Sequence, residues 1–443
     1  MRWPRYGQMK ASGVAWLGEV PGHWDIAPVK SRLVANDGGA WGEDFDDDGV
    51  IVLRSTDQTM HGQWSLNEPA KRGLNCREAL ATRLHVGDLV ITKSSGSSDH
   101  IGKTTLVNEE IAALECGFSN FMQRLRVDAR THPRFTWYLL NCPIGRAQFD
   151  YHSTTSSGLA NLTRGTISGL LFTWPPLAAQ HVIAAFLDRE TARIDALVAA
   201  KRRLIALLHE KRAALIARAV TRGLDPDVPT KDSGVAWLGR VPAHWEVGYL
   251  RRFASVTDCK HYTVSFADDG LPVASVSELS GNRFSLKAAK RTTLAEYNFL
   301  RAGRVPRRGD LLYCRNASVG LVGYIDTDEP FALGQDVCLI DAQGLDGRYL
   351  YYQLVSRAVT AQLESKMVGS TFNRINVADI KEFAITWPPP VEQAVIAQYL
   401  EEATAHLARQ ELLACQTIDR LIEYRSTLIT SAVTGRIDVR AAA

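Results

Sequence analysis

The chain has 443 residues, 46% of them hydrophobic, 22% charged and 8% aromatic, which excludes disordered and fibrous classes and, at roughly 100–200 residues per domain, implies two or more domains with cores of their own. Its 51 basic and 48 acidic residues leave a net charge of +3, so bulk charge announces no nucleic-acid binder and any basic patch must be local. No stretch reaches the ~18 consecutive apolar residues of a membrane span, and Met1-Arg2-Trp3-Pro4-Arg5 opens no signal-peptide run; a soluble, cytoplasmic protein with no membrane contact is expected. The seven cysteines (Cys76, Cys116, Cys142, Cys259, Cys314, Cys338, Cys415) are odd in number and never Cys-x-x-Cys, a pattern of reduced thiols without a disulfide framework or a metal site.

In chain order the first feature is a motif, Ser12–Ile26, that returns as Ser233–Val247 with 11 of 15 positions identical. Internal repetition of this kind dictates the architecture before any local assignment. His23 and His244 sit at matching positions beside Trp24 and Trp245, which makes them structural, packed with the aromatic. Two bodies follow the motif, about residues 27–173 and 248–386. They carry short strand-like runs, Gly49–Leu53, Asp88–Thr92 and its counterpart Asp310–Cys314, interspersed with helical stretches Phe135–Leu140 and Arg348–Val355, so each body reads as mixed α/β. Gly96–Thr104 comes close to a phosphate-binding loop, but five residues separate Gly96 from Gly102 where that motif needs four; a turn between strands is expected.

Each body ends in Trp-Pro-Pro, at Trp174-Pro175-Pro176 and Trp387-Pro388-Pro389. The proline rings forbid continuation of what precedes them, so the triplet is a hinge into a helix. From it, residues 174–222 and 387–435 are identical at 19 of 49 positions. Stepping by four and three gives apolar seams at Ile183, Leu187, Ile194, Leu197, Leu204, Leu208 and Leu215, and at Ile396, Leu400, Leu407, Leu421 and Leu428, as in a coiled coil. Residues 180–222 carry nine basic and four acidic side chains, residues 393–434 three and five; the opposite net signs favour pairing of the two helices. A tract of some 40 residues would be about 60 Å long. The expected fold is thus mixed α/β: two tandem pseudo-repeated globular domains separated by two long helices that form an antiparallel coiled coil. Its divisions are 1–173, the central helix 174–224, 225–386, and the C-terminal helix 387–443.

Two similar domains held apart by a stiff rod suit double-stranded DNA with two half-sites. The order of opening motif, variable body, Pro-Pro helix start with Gln180 and Ile183–Asp188, then the same again with Glu392-Gln393 and Ile396–Glu401, resembles the specificity subunit of type I restriction-modification systems. The helix ends Ala219–Gly223 and Ala432–Arg436 add to the likeness, which covers essentially the whole chain. It implies two target-recognition domains that read a bipartite, asymmetric DNA target, one half-site each. It implies as partners two modification (methyltransferase) subunits and restriction subunits. It implies no catalysis and no cofactor on this chain, S-adenosylmethionine, ATP and Mg²⁺ being used by the partners.

Duplex readout needs Arg or Lys for phosphates and guanine edges and Asn or Gln for adenine edges, on loops a scaffold can aim. Residues of that kind are Lys93, Ser94, Ser95, Lys103, Asn120, Gln123, Arg124 and Arg164 in the first body, and Arg315, Asn316, Gln335, Asn373, Arg374 and Asn376 in the second. Lys93 matches Arg315 across the repeat, and Arg164 falls near Arg374. The bodies are nearly neutral, with 15 basic and 16 acidic residues in 27–173 and 17 and 15 in 248–386, so the isolated chain is expected to bind DNA poorly. Two readings compete: a self-contained Mg²⁺-dependent nuclease using Glu364–Lys366 and Asp379–Lys381, and a coiled-coil adaptor that binds no DNA.

Overall fold

The computed structural model describes residues 3–44, 49–156, 159–342, 344–367 and 374–440, and for residue 98, residues 154–156 and residue 159 the backbone alone. The chain divides into two compact units, residues 1–201 with 416–443 and residues 202–415. Both divisions fall inside a long helix, Leu177–Arg222 and Pro390–Val433, so each unit owns one body and half of each helix.

In the first unit four antiparallel strands lie in the order Thr104–Leu106, Leu89–Thr92, Met122–Val127, Leu33–Gly38. A second sheet runs Gly117–Phe118, Val50–Leu53, Ala70–Gly73, Glu43–Asp44, its first two strands parallel. Helices Pro133–Asn141 and Pro143–His152 each start on a proline, whose missing N–H is no loss at the first helical position. The first face is sealed by Leu89, Ile91, Leu125, Phe135, Phe149 and Phe172, all fully buried.

The second unit repeats this order with other side chains: Val322–Tyr324, Leu311–Cys314, Val337–Asp341, Ser255–Asp258 in one sheet, and Ala332–Leu333 parallel to Phe266–Ala274, which pairs with Lys290–Thr292, in the other. Helices Gly347–Val355 and Arg357–Met367 take the places of the first unit's pair. In both units the strand that opens the body pairs with the strand that closes it, Asp25–Pro28 with Leu171–Trp174 and Glu246–Tyr249 with Ala384–Trp387.

The hinge is built from one buried glutamine per unit. Gln180 Nε2 donates to the Pro175 carbonyl at 2.8 Å while Oε1 accepts from His132 N at 2.8 Å. Gln393 does the same for Pro388 at 2.7 Å and Asp346 N at 2.9 Å. Each amide satisfies a main-chain carbonyl that the proline pair leaves without a helical partner. The strand before the hinge also caps the other long helix. Thr173 donates to the Val433 carbonyl at 2.7 Å and Thr386 to the Val220 carbonyl at 2.6 Å, so within each unit the start of one helix meets the end of the other and the halves run antiparallel. Asp195 with Arg425 at 2.9 Å in the first unit and His209 with Glu411 at 2.8 Å in the second follow the same sense.

The seam departs from the expected heptads. Ile183, Leu187, Ile194, Leu208, Ile396, Leu400, Leu407 and Leu428 are buried, and Leu215 and Leu421 partly so, but Leu197 and Leu204 are 45% and 39% exposed. Burial in the first helix runs Ile183, Leu187, Thr191, Ile194, Val198, Lys201, Ile205, Leu208, Arg212, Ile216, Ala219. Ten steps over 36 residues are 3.6 per step, the period of an α-helix itself rather than the 3.5 of a heptad, which drifts by about 20° every seven residues.

Unit differences at the opening motif give a test of the packing. Trp245 Nε1 donates to Glu392 at 3.0 Å, and His244 meets the other oxygen of that carboxylate at 2.9 Å. In the first unit Trp24 is fully buried with Nε1 unpartnered, and the position matching Glu392 is Ala179. Ala179→Glu is expected to raise stability by about 1–2 kcal/mol, through one hydrogen bond and an acidic group in a helix first turn. A melting temperature that fails to rise would refute this account of Trp24.

Candidate nucleic-acid interface

In each unit one end of the antiparallel four-stranded sheet is tied to the start of a long helix, through His132 N with Gln180 and Asp346 N with Gln393. The tied end carries the turns that meet Gln180 and Gln393. At the far end of the first unit, Lys93 N donates to the Phe121 carbonyl at 2.9 Å and Leu162 N to the Lys93 carbonyl at 2.8 Å, and Ser94–Ser95 pairs with Leu159–Asn161. At the far end of the second, Arg315 N donates to the Asp336 carbonyl at 2.8 Å, Ile375 N to the Arg315 carbonyl at 2.9 Å, and Asn316 bridges to Arg374. One main-chain frame, held by the main chain of Lys93 and of Arg315, therefore presents Lys93, Ser94, Ser95 and Asn120 in one unit and Asn316, Gln335 and Arg374 in the other.

The frame corrects one sequence pairing. Leu162 stands where Ile375 does, so Asn161 matches Arg374, and the exposed Arg164 matches Val377 at the start of the short helices Arg164–Gly169 and Val377–Lys381. Asn376 is exposed at the foot of the latter helix, and Asn373 lies outside the described residues.

Four other candidates are turned inward. Lys103, 3% exposed, donates to the carbonyls of Ser55 and Gln58, both at 2.9 Å, and burial, then the nearby Arg146 charge, lowers its pKa. Gln123 donates to Asn36 at 2.7 Å, and Asn36 to Ser168 at 2.8 Å. Arg124 binds Asp37 at 2.7 Å and the Arg83 carbonyl at 2.9 Å. Arg315, 3% exposed, binds Asp258 at 2.7 Å. The reason is their place: Gln123 and Arg124 sit on an inner strand with both neighbours present, and although Arg124 Nε and Arg315 Nε and Nη2 have no partner among the described residues, they are buried. Lys93 differs. It is half-buried, its ammonium reaches only Gln123 Oε1, at 3.4 Å, and burial lowers its pKa; among the described residues no carboxylate is within ion-pair reach. An anion brought to it would favour its charged form and offset the cost of burial.

Three features escaped the sequence. Asp258, Cys259 and His261 bring one ligand atom each within 4.8 Å of one another, but Asp258 already carries Arg315 and lies 3.1 Å from His261 Nε2. Beside them a cavity of about 390 Å³ is lined by Tyr262, Phe266, Ser277, Lys290 and Gln335, with Lys290 Nζ 4.5 Å from the Phe266 ring centre. Exposed aromatics next to a cation are suited to a base and its phosphate; the signal was the aromatic and basic interleaving of 260–266 and 290–291. His261 and Asp336, on the loops that meet there, have φ of 50° and 65°, conformations that non-glycine residues hold only under constraint.

The carboxylates of the nuclease reading are each answered by a base, Glu364 by Arg357 at 2.7 Å and Asp379 by Lys366 at 3.4 Å. The near phosphate loop is a connection between the antiparallel strands Leu89–Thr92 and Thr104–Leu106. All seven cysteines are free. Among the described residues no helix is long and apolar enough to cross a membrane.

Two mixed α/β bodies, each followed by a long helix, define a class of internally duplicated proteins. Comparison with known proteins agrees. Residues 253–414 match the type I restriction modification DNA specificity domain. The chain is 22% identical over 438 residues to the type I restriction enzyme EcoKI specificity subunit of Escherichia coli strain K12, covering 95% of this chain and 90% of that one. It is 21% identical over 439 residues to the StySPI specificity subunit of Salmonella potsdam, with the same coverage. A chain from a structural study of complex assembly in a type I R-M system superposes with a TM-score of 0.72 over 94% of this chain and 98% of that one, at 15% identity. The HsdS subunit from Thermoanaerobacter tengcongensis gives 0.57 over the same shares, also at 15% identity. The chain is thus similar to type I restriction-modification specificity subunits along nearly its whole length.

Proposed function

We propose that this chain is the sequence-reading subunit of a cytoplasmic type I restriction-modification complex. It recognises a bipartite, asymmetric duplex target, the body at 27–173 reading one half-site and the body at 248–386 the other. It docks two modification subunits and, for cleavage, restriction subunits. It is itself without catalysis and holds no cofactor, S-adenosylmethionine, ATP and Mg²⁺ serving the partners. One observation supports the reading: the far sheet ends share a main-chain frame, yet Ser94 and Ser95 occupy in one unit the positions that Asn316 and Ala317 occupy in the other, as readers of different letters would require. The test is a map of methylated bases in cells that carry the chain and its modification partner, with the gene intact and deleted. A gapped two-part motif that vanishes with the gene supports the reading; unchanged methylation in a system with an active partner refutes it.

The near-neutral bodies and inward-turned arginines leave few cations for phosphates, so the salt-dependent share of the affinity must come largely from the partners. The isolated chain is therefore expected to bind duplex DNA weakly at physiological salt. Fluorescence anisotropy checks this, and nanomolar sequence-specific affinity of the lone chain would contradict it.

A further inference from the structure

The opening motif is nearly the same in both units, and most of its identities have a packing reason within each. Gly13 and Gly18 turn with φ of 72° and 68°, Gly234 and Gly239 with 71° and 60°. Leu17, Val20 and Trp24 are buried, as are Leu238, Val241 and Trp245. Ser12 closes its loop by donating to the Val14 carbonyl at 3.0 Å and accepting from Val14 N at 3.1 Å, and Ser233 does so with Val235 at the same distances. The identities at the loop tip lack such a reason. Trp16 and Trp237 stand at the loop tips 45% and 48% exposed, each after an exposed alanine, Ala15 and Ala236. An indole left in water gains nothing for the fold. The position three residues on, also exposed, has changed from Glu19 to Arg240, so exposure alone does not hold a residue fixed between the units.

We infer that Trp16 and Trp237 are equivalent docking anchors for two copies of one protein, each indole filling an apolar pocket of that partner. The repeat itself names the occupant. Surfaces that read different half-sites differ between the units, whereas a tip kept the same in both must meet the same surface twice. DNA phosphates also recur along a duplex, but from Ser12 to Gly18 and from Ser233 to Gly239 there is no charged side chain to meet them. An exposed tryptophan beside small residues is what protein interfaces use as an anchor. The proposal rests on the functional reading above, which supplies a partner in two copies: the modification subunit.

The test uses the full chain co-purified with its modification subunit, and native mass spectrometry of the complex. The wild-type chain is expected to carry two modification subunits, Trp16→Ala and Trp237→Ala one each, and the double variant none. Thermal melting of the free chain should show the variants still folded with one cooperative transition, because about half of each indole faces water. Single variants that keep both subunits, or lose both, overturn the proposal, as does a double variant that keeps its partners but loses only DNA affinity. A wild-type chain that takes up no modification subunit sinks the functional reading, and this proposal with it.

Discussion

Arg126→Ala is expected to destabilise the first unit by roughly 3–5 kcal/mol, because it strands a buried charge. The Asp88 carboxylate has no exposed surface, and it accepts from Arg126 Nε at 2.7 Å, from Arg126 Nη2 at 2.8 Å and from His85 N at 2.9 Å. Without the guanidinium the buried carboxylate keeps one hydrogen bond, from His85 N. The second unit displays the result of having no arginine there. Asp310 opens the matching strand, accepts from Arg307 N at 2.8 Å, and has Asp341 where Arg126 would stand. Burial first, then the Asp341 charge, pushes the Asp310 carboxyl above the usual carboxylate range. A folded pKa above the unfolded one means the unfolded state binds fewer protons between the two values, so this group's share of stability is present at acid pH and is lost as pH rises through the raised pKa. Asp310→Asn is accordingly expected to flatten that slope, at little cost near neutrality. Urea denaturation of the full chain at pH 5 and pH 7.5 measures both effects; an Arg126→Ala loss below about 1 kcal/mol would show that Asp88 does not need its partner.

The duplication was legible because it is written in packing residues: the tryptophans, glycines, hinge prolines and buried glutamines recur wherever the fold repeats. Helix positions followed from apolar periodicity, and the strand runs at Val50–Leu53, Leu89–Thr92 and Leu311–Cys314 from their β-branched and apolar character. Strand order was not legible, since pairing across 30 or more residues leaves no local trace. Nor was the phase of the seam, because 3.5 and 3.6 residues per step diverge by only one position over ten steps and Leu occurs at both phases, as Leu197 and Leu204 show. Among the interface candidates, residue type pointed to Lys93, Asn316 and Gln335 and to Lys103, Gln123 and Arg124 alike. Asn316 and Gln335 lie on loops past the strand ends and Lys93 between two strands, whereas Lys103 borders a strand and Gln123 and Arg124 lie within one, where those three side chains are spent on carbonyls, an amide and a carboxylate. That distinction needs strand boundaries to within one residue, and sequence periodicity does not give them.

Replacing residues 27–173 with the corresponding body of another type I specificity subunit is expected to change one half of the methylated motif completely and leave the other half as it was. The fold explains why so large a replacement should be tolerated. The body begins and ends on a single antiparallel pair, in which Ala27 lies opposite Phe172 and Ile26 opposite Thr173, so its two ends leave side by side and a foreign body with the same pair closes on the same hinge. Thr173, Trp174 and Gln180, which fasten the unit to the long helices, stand at or beyond the junction; keeping Thr173 in the graft preserves its bond to Val433. The spacing between half-motifs should persist, because the helices Leu177–Arg222 and Pro390–Val433 are not altered. Methylome sequencing of cells expressing the chimaera with its modification partner gives the answer directly. A motif changed in both halves would mean that the bodies do not read independently, and an unchanged motif would place the reading residues outside 27–173, against the assignment of Lys93, Ser94, Ser95 and Asn120 to the duplex face.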